Sequence, residues 1–227
     1  MKNTSTVPTI AAMVDASRAG QPITKYIYGQ FIEHLGNLIN NGLWAEMLHD
    51  RKFFFRISSG AEPQPAERPA RLQLRPWRPI GPDEAVTMDR DHAYVGRHSP
   101  RIALQGAEPR GVQQSGLMLR EGQEYVGRIV LRREPFAAVT VSLVWGPGPA
   151  ERQTVSVESP ADTWTTVPLT FTAGADTDDG RLEITGAGSG SFHVGAVSLM
   201  PANNLRGFRR DTIALLRELH SGIYRFP

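Results

Sequence analysis

Cysteine is absent from this chain of 227 residues, which excludes a disulfide framework, a thiol nucleophile and a thiolate metal site and leaves the compartment open. No apolar run approaches the roughly 18 residues that a membrane-crossing helix needs, so no membrane partner is expected. An excess of one charge is lacking too: 25 basic residues stand against 23 acidic ones, for a net charge of +2, and the arginines are scattered among acids. That distribution argues against a nucleic-acid stripe. The six histidines show neither HxH nor HExxH spacing, so neither a metal site nor a cofactor is expected. The opening "MKNTSTVPTIAAMV" carries one lysine and an apolar stretch too short and broken for a signal peptide, although a leader removed earlier would leave no trace.

What is present is 40% apolar residues, enough for a substantial core, in a length that suits one large or two small domains. Thr9 to Val14 and Lys25 to Phe31 are β-prone runs separated by the turn-rich "DASRAGQP". In "LWAEMLHDRKFF", Leu43, Trp44, Met47 and Leu48 fall on one helical face, with Asn40 and Asn41 as caps, and predict a short helix. From Arg56 to Pro82 there are six prolines and little periodicity, which marks a loop and a domain boundary.

Beyond that loop a two-residue period dominates. Val139, Val141, Leu143 and Trp145 alternate with polar neighbours, and the pattern recurs at Tyr125, Ile129 and Leu131, at Val167, Leu169 and Phe171, and at Leu182 and Ile184. About eight or nine strands between Val86 and Leu199 predict an antiparallel sandwich or jelly roll. In "SFHVGAVSL" the apolar parity switches, which predicts a bulge near Gly195. The period changes again in "RGFRRDTIALLREL", where Phe208, Leu215, Leu216 and Leu219 fit a helix with Asn203 or Asn204 before it and Gly222 after it. The strand-like "GIYRF" follows.

The expected architecture is therefore mainly β: a jelly roll inserted in the first βαβ unit of an incomplete (β/α)8 barrel. Residues 1–55 hold an N-terminal strand, the first barrel strand and a short helix; 56–82 form the proline-rich loop; 83–201 form the jelly roll; and 202–227 form the first barrel helix and the start of the second barrel strand. An insertion after a barrel strand hangs over the face on which such barrels build their active sites.

"YIYGQFIEHLGNLINNGLWAEMLHDRKF" and "GAVSLMPANNLRGFRRDTIALLRELHSGIYRFP" together resemble the N-terminal part of retaining α-L-arabinofuranosidases of the TIM-barrel clan. The closer resemblance is to members whose first strand-to-helix connection holds a jelly roll similar to carbohydrate-binding modules. The resemblance implies that Glu33, in "GQFIEH", and Arg225, in the arginine–aromatic–proline motif, contact the arabinofuranose. It also places the two glycines and the asparagine that follow that motif, and both catalytic glutamates, beyond Pro227, so the chain alone is expected to be inactive. A retaining glycosidase needs two carboxyl groups about 5 to 5.5 Å apart, one protonated and one ionised. Glu46 is a poor partner for Glu33 because its predicted place is the solvated face of a short helix.

Four further candidates each have a plain structural alternative. His34 either orients the site beside Glu33 or is structural. The acidic turn "DTDDG" fits a solvated turn better than a calcium site. Trp145 and Trp164 suit a sugar-stacking platform, yet Trp145 shares the parity of core residues. Trp77, in the proline-rich loop, is the better surface candidate for substrate contact.

The expected partner is an arabinose-containing oligosaccharide or polysaccharide, with the remaining catalytic part or self-association through open strand edges as protein partners. The alternative function is a stand-alone carbohydrate-binding or structural jelly roll, with the barrel strands recruited as edges. A third reading, an enzyme acting through chemistry on the sandwich itself, lacks an acid/base pair.

Overall fold

The computed structural model describes residues 11–34, 37–60 and 75–225. Its ten strands comprise β1 (Gln30–Phe31), β2 (Trp77–Ile80), β3 (Val86–Asp89), β4 (Ser99–Leu119), β5 (Glu124–Arg133), β6 (Ala137–Val144), β7 (Arg152–Ser156), β8 (Thr165–Thr172), β9 (Thr177–Pro201) and β10 (Tyr224–Arg225). The α-helix α1 spans Arg210–Glu218.

The alternating pattern becomes an antiparallel sandwich, and two strands run through both of its sheets. The first stretch of β4, from Arg101 to Gly106, pairs with residues 188–193 of β9, while its second stretch pairs with residues 177–186. One sheet thus runs β3–β4–β9–β5–β8 and the other β2–β4–β9–β6–β7. Both long strands bend where Gly106 faces Gly188, and both glycines have positive φ (74° and 111°). A side chain at either position would be strained, so the corner depends on glycine.

Alternate residues of the two sheets meet in one core that includes Ile102, Val112, Leu131, Val141, Phe171 and Leu182. The predicted parities of β5, β6, β8 and β9 hold, and the bulge falls at Gly195: Val130 pairs with Ala196 but Leu131 pairs with Val194. Between Val86 and Leu199 there are seven strands rather than eight or nine, because β4 and β9 each continue through a corner instead of breaking into two.

Four local expectations are corrected. Residues 11–14 form no strand, and Thr9 and Ile10 lie outside the described residues. Lys25–Tyr28 is a 3-10 turn, leaving β1 only two residues long. Part of the proline-rich stretch, Trp77–Ile80, is an edge strand of the sandwich, where its proline is tolerated, while residues 61–74 lie outside the described residues.

The fourth correction concerns "LWAEMLHDRKFF", which is an extended strap rather than a helix. Past the pairing of Arg101 with His193, the edge of β9 that faces β4 has no strand partner among the described residues. The strap covers it: Met47 N–H donates to Leu199 O (2.9 Å) and Val197 N–H to Arg51 O (3.0 Å). Backbone groups that would otherwise be buried without partners are satisfied this way, and that outweighs a modest helical preference.

Glu46 fastens the strap. Glu46 is 5% exposed, and its carboxylate accepts from Leu199 N–H (2.9 Å), Ser198 Oγ (2.6 Å) and Leu48 N–H (3.1 Å). The Arg51 guanidinium lies 3.3 Å away and also stacks over Trp44. Removing the carboxylate leaves two buried N–H groups unpaired, so Glu46→Ala should cost about 2–4 kcal/mol. Urea denaturation checks this, and Glu46→Gln, which keeps one acceptor, should lose less.

Candidate functional site

The two segments that carry the barrel-like motifs meet. β1 and β10 are parallel neighbours, with Gln30 in register with Tyr224 and Phe31 with Arg225. Gln30 N–H donates to Ile223 O and Ile32 N–H to Arg225 O, both at 2.9 Å. The chain leading into β10 approaches closely: a Cβ at Gly222 would lie 2.2 Å from Lys25 O. Parallel strands need a crossover, and here the crossover contains the whole sandwich followed by α1.

α1 is tied to the turn at 39–43 and to β10. Thr212 Oγ1 donates to Gly42 O (2.8 Å), Arg209 donates to Asn41 O (2.8 Å), and the Tyr224 hydroxyl donates to Leu216 O. The guanidinium of Arg209 also grips Asp211, and this pairing holds the Asp211 carboxyl below its ordinary range. The helix begins after Arg209 without a side-chain cap. Asn204 instead closes the preceding turn by accepting from Gly207 N–H at 2.8 Å.

Glu33 and His34 are exposed just past β1, and Arg225 is exposed at the end of β10, its guanidinium 5.0 Å from the centre of the Phe31 ring. Phe31 is the register partner of Arg225, and Glu33 lies two residues beyond Phe31. The pairing therefore brings the two sequence-predicted contact residues to the same end of the strand pair.

Trp77 does not join them. It is 1% exposed, packs against Phe53 at 5.0 Å between ring centres, and its indole N–H lies 3.2 Å from both His49 O and Asp50 O. The amphipathic ring was more useful as a core residue with one satisfied polar atom than as a surface platform, so it has no face to offer a sugar. Gln114, 2% exposed, completes this anchor: its amide donates to His49 O (2.9 Å) and accepts from His49 N–H (2.7 Å). The neighbouring Asp50 carboxyl is pushed up by burial, against the lowering effect of the Phe55 and Phe54 N–H groups it accepts from.

Glu46 is likewise excluded from acid/base work beside Glu33, because its oxygens are committed to the strap. Trp145 packs against the sandwich core, in keeping with its parity. In "DTDDG", Asp176 accepts from Glu121 N–H (2.7 Å) and Asp178 pairs with Arg120 (3.3 Å), so these carboxylates tie a turn together.

Two features escaped sequence reasoning. An open cleft of about 740 Å³ runs between the strap, the end of β4 and the start of α1, and its lining includes Trp44, Arg120, Asn204 and Arg209. The other is a cluster of Asp89, His92 and His193. Burial pushes Asp89 up, but hydrogen bonds from His193 and His92 outweigh it and hold the carboxyl well below its usual range. Burial holds the His193 imidazole down, partly offset by Asp89, and the cationic Arg132 and Arg101 lower it further. An Asp-x-x-His spacing was visible in the sequence, but nothing local linked it to a histidine on β9.

No family model matches the chain. It is similar to α-L-arabinofuranosidase 1 of Arabidopsis thaliana, 25% identical over 239 residues, which covers 97% of this chain and 34% of that protein. It is also similar to an extracellular exo-α-L-arabinofuranosidase of Streptomyces chartreusis, 26% identical over 219 residues, covering 94% of this chain and 25% of that protein. The chain thus spans about a third and a quarter of the length of these two relatives. Among solved structures, a xylan-binding CBM22-1 domain from Paenibacillus barcinonensis is 12% identical and superposes with a TM-score of 0.44, covering 58% of this chain and 89% of that one. The likeness to the arabinofuranosidases extends through the sandwich as well as the two flanking motifs, which bears out the resemblance those motifs carry.

Burial of Trp77 separates stability from recognition. Trp77→Phe keeps the ring packing and removes the indole N–H, so stability in urea should fall by about 1–2 kcal/mol. Titration with arabino-oligosaccharides should be unaffected by the same substitution.

Proposed function

We propose that this chain forms the N-terminal part of an α-L-arabinofuranosidase acting on arabinose-containing plant polysaccharides, and that it contributes binding rather than acid/base groups to the sugar site. The observation that carries the reading is the parallel pairing of β1 with β10. In a (β/α)8 barrel, active sites gather at the C-terminal ends of the parallel strands. Glu33 and Arg225 stand at that end of this pair. An ionised carboxylate accepts, and a guanidinium donates, the hydrogen bonds that sugar hydroxyls need.

A second observation supports the same reading. Tyr26, Ile27, Phe31, Leu215, Leu219 and Ile223 are each 49% exposed or more, and all lie in or next to the strand pair, the turn before it, or α1. A two-stranded pair is marginal in water, and an apolar surface of this kind marks a partner. The partner proposed is the remaining strands and helices of the barrel, which would supply both catalytic carboxyl groups; without them, the open edges favour self-association.

The cleft favours a second reading, in which the sandwich and its strap bind a sugar chain on their own. Its Trp44 ring and its amide and guanidinium groups suit a neutral polyhydroxylated ligand. Loss of oligosaccharide binding in Trp44→Ala, with binding unchanged in Glu33→Gln, would favour it.

The main reading is tested by incubating the purified chain with p-nitrophenyl α-L-arabinofuranoside. No nitrophenol should be released, whereas a longer protein that includes this segment should release it. In that longer protein Glu33→Gln should lower kcat/KM by about 100-fold, near 2.7 kcal/mol of transition-state binding. Turnover by the isolated chain would overturn the assignment of its carboxylates to binding alone.

A further inference from the structure

From the juxtaposition of Asp89, His92 and His193 we infer a zinc-type transition-metal site that staples the start of the sandwich to β9. Asp89 ends β3, His92 lies in the turn that follows, and His193 stands on β9. Asp89 Oδ2 is 2.8 Å from His193 Nε2 and 3.0 Å from His92 Nδ1, and all three donor atoms lie within 4.8 Å of one another. Zinc bound at 2.0–2.2 Å with tetrahedral angles spaces its ligand atoms roughly 3.4 Å apart. To admit the ion, the two Asp89–histidine distances open by about 0.4–0.6 Å and the two ring nitrogens, within 4.8 Å of each other, settle at the same spacing through a small rotation of the exposed His92 side chain.

The donor set selects the metal. Two imidazole nitrogens and one carboxylate oxygen suit zinc and its neighbours in the first transition row, whereas calcium and magnesium require a shell of oxygens. The ligands are also oriented. Asp89 Oδ1 accepts from Asp91 N–H at 2.8 Å, which turns Oδ2 toward the histidines and supplies the outer support that metal carboxylates need. His193 is 5% exposed, and its ring faces His92 and Trp164 at 5.6 and 6.2 Å between centres. The His92 side chain is about half exposed, so water can complete the coordination from that side.

A metal here would order the Asp89–Ser99 connection, which carries Tyr94 against Trp164, with ring centres 5.3 Å apart, and Tyr94 N–H on Ser99 Oγ at 3.0 Å. Its role is structural. The site lies on the sandwich and uses neither Glu33 nor Arg225, so it stands or falls separately from the arabinofuranosidase reading.

The test is calorimetric titration of the chelator-treated full chain with zinc chloride, repeated with calcium chloride. One zinc ion should bind with a Kd of about 1 µM or tighter, and saturating zinc should raise Tm by about 5 °C, with no effect of calcium. Cobalt(II) bound in place of zinc should show the visible absorption of a tetrahedral centre. His92→Gln, at an exposed position that leaves folding intact, should weaken zinc at least tenfold, as should Asp89→Asn, while His34→Gln and His220→Gln should not. Absence of stoichiometric zinc binding at 100 µM, or binding that survives both His92→Gln and Asp89→Asn, would overturn the site and leave Asp89 as a hydrogen-bond acceptor for two histidines.

Discussion

A carboxylate removed from water must find donors, and the buried one of Glu46 finds them on a strand edge that had lost its neighbour. β9 pairs with β4 only as far as His193, and beyond it Val197 and Leu199 still point backbone groups sideways. The strap answers those groups with its own backbone and with Glu46, and it lies between the turn at 39–43 and the sandwich. Gln114 and Trp77 then hold the far end of the strap through His49 and Asp50. The sandwich and the segments that flank it are therefore joined by a set of satisfied polar groups, not only by two peptide connections.

That join lets a very small parallel pair exist. β1 and β10 exchange few hydrogen bonds, and their apolar side chains remain largely exposed. A parallel pair requires a crossover, and closing one through the whole sandwich costs little extra chain entropy because loop cost grows only logarithmically with length. The sandwich, folded on its own core, shortens that connection to the span between the strap and α1. The ends that carry Glu33 and Arg225 are brought together by a domain that contributes neither residue.

Much of the sandwich was legible beforehand. Alternation in β5, β6, β8 and β9 is a direct record of one face packed and one face less so, and the parity switch at Gly195 is a direct record of an extra residue in one strand. The helical spacing of Phe208, Leu215, Leu216 and Leu219 located α1, but the helix starts only at Arg210, so Phe208 and the expected cap at Asn203 or Asn204 precede it, Phe208 bridging to Trp44 and Leu205 instead. The strap was misread because Leu43, Trp44, Met47 and Leu48 satisfy a helical spacing equally well, and helix or strand is decided there by a neighbour's free edge. Trp77 was misread because proline-rich composition suggests a surface loop, although Trp77–Ile80 completes one sheet. The Asp89–His92–His193 cluster was illegible, since its members are joined only when β3 and β9 flank β4.

By itself the sequence determined what depends on local order: the alternation that makes strands, the glycines that permit a corner, the absence of thiol chemistry, and the two motifs that carry the arabinofuranosidase resemblance. Tertiary structure alone decided which edge stayed unpaired, and so whether residues 43–54 would coil or extend. It also decided that Glu46 and Trp77 are anchors inside the molecule, and that a histidine from the last long strand meets an aspartate from the first strands. The physical reason is that side-chain periodicity reports which face of an element is apolar, whereas partners for backbone hydrogen bonds, buried charges and convergent ligands are set by distances between segments remote in the chain.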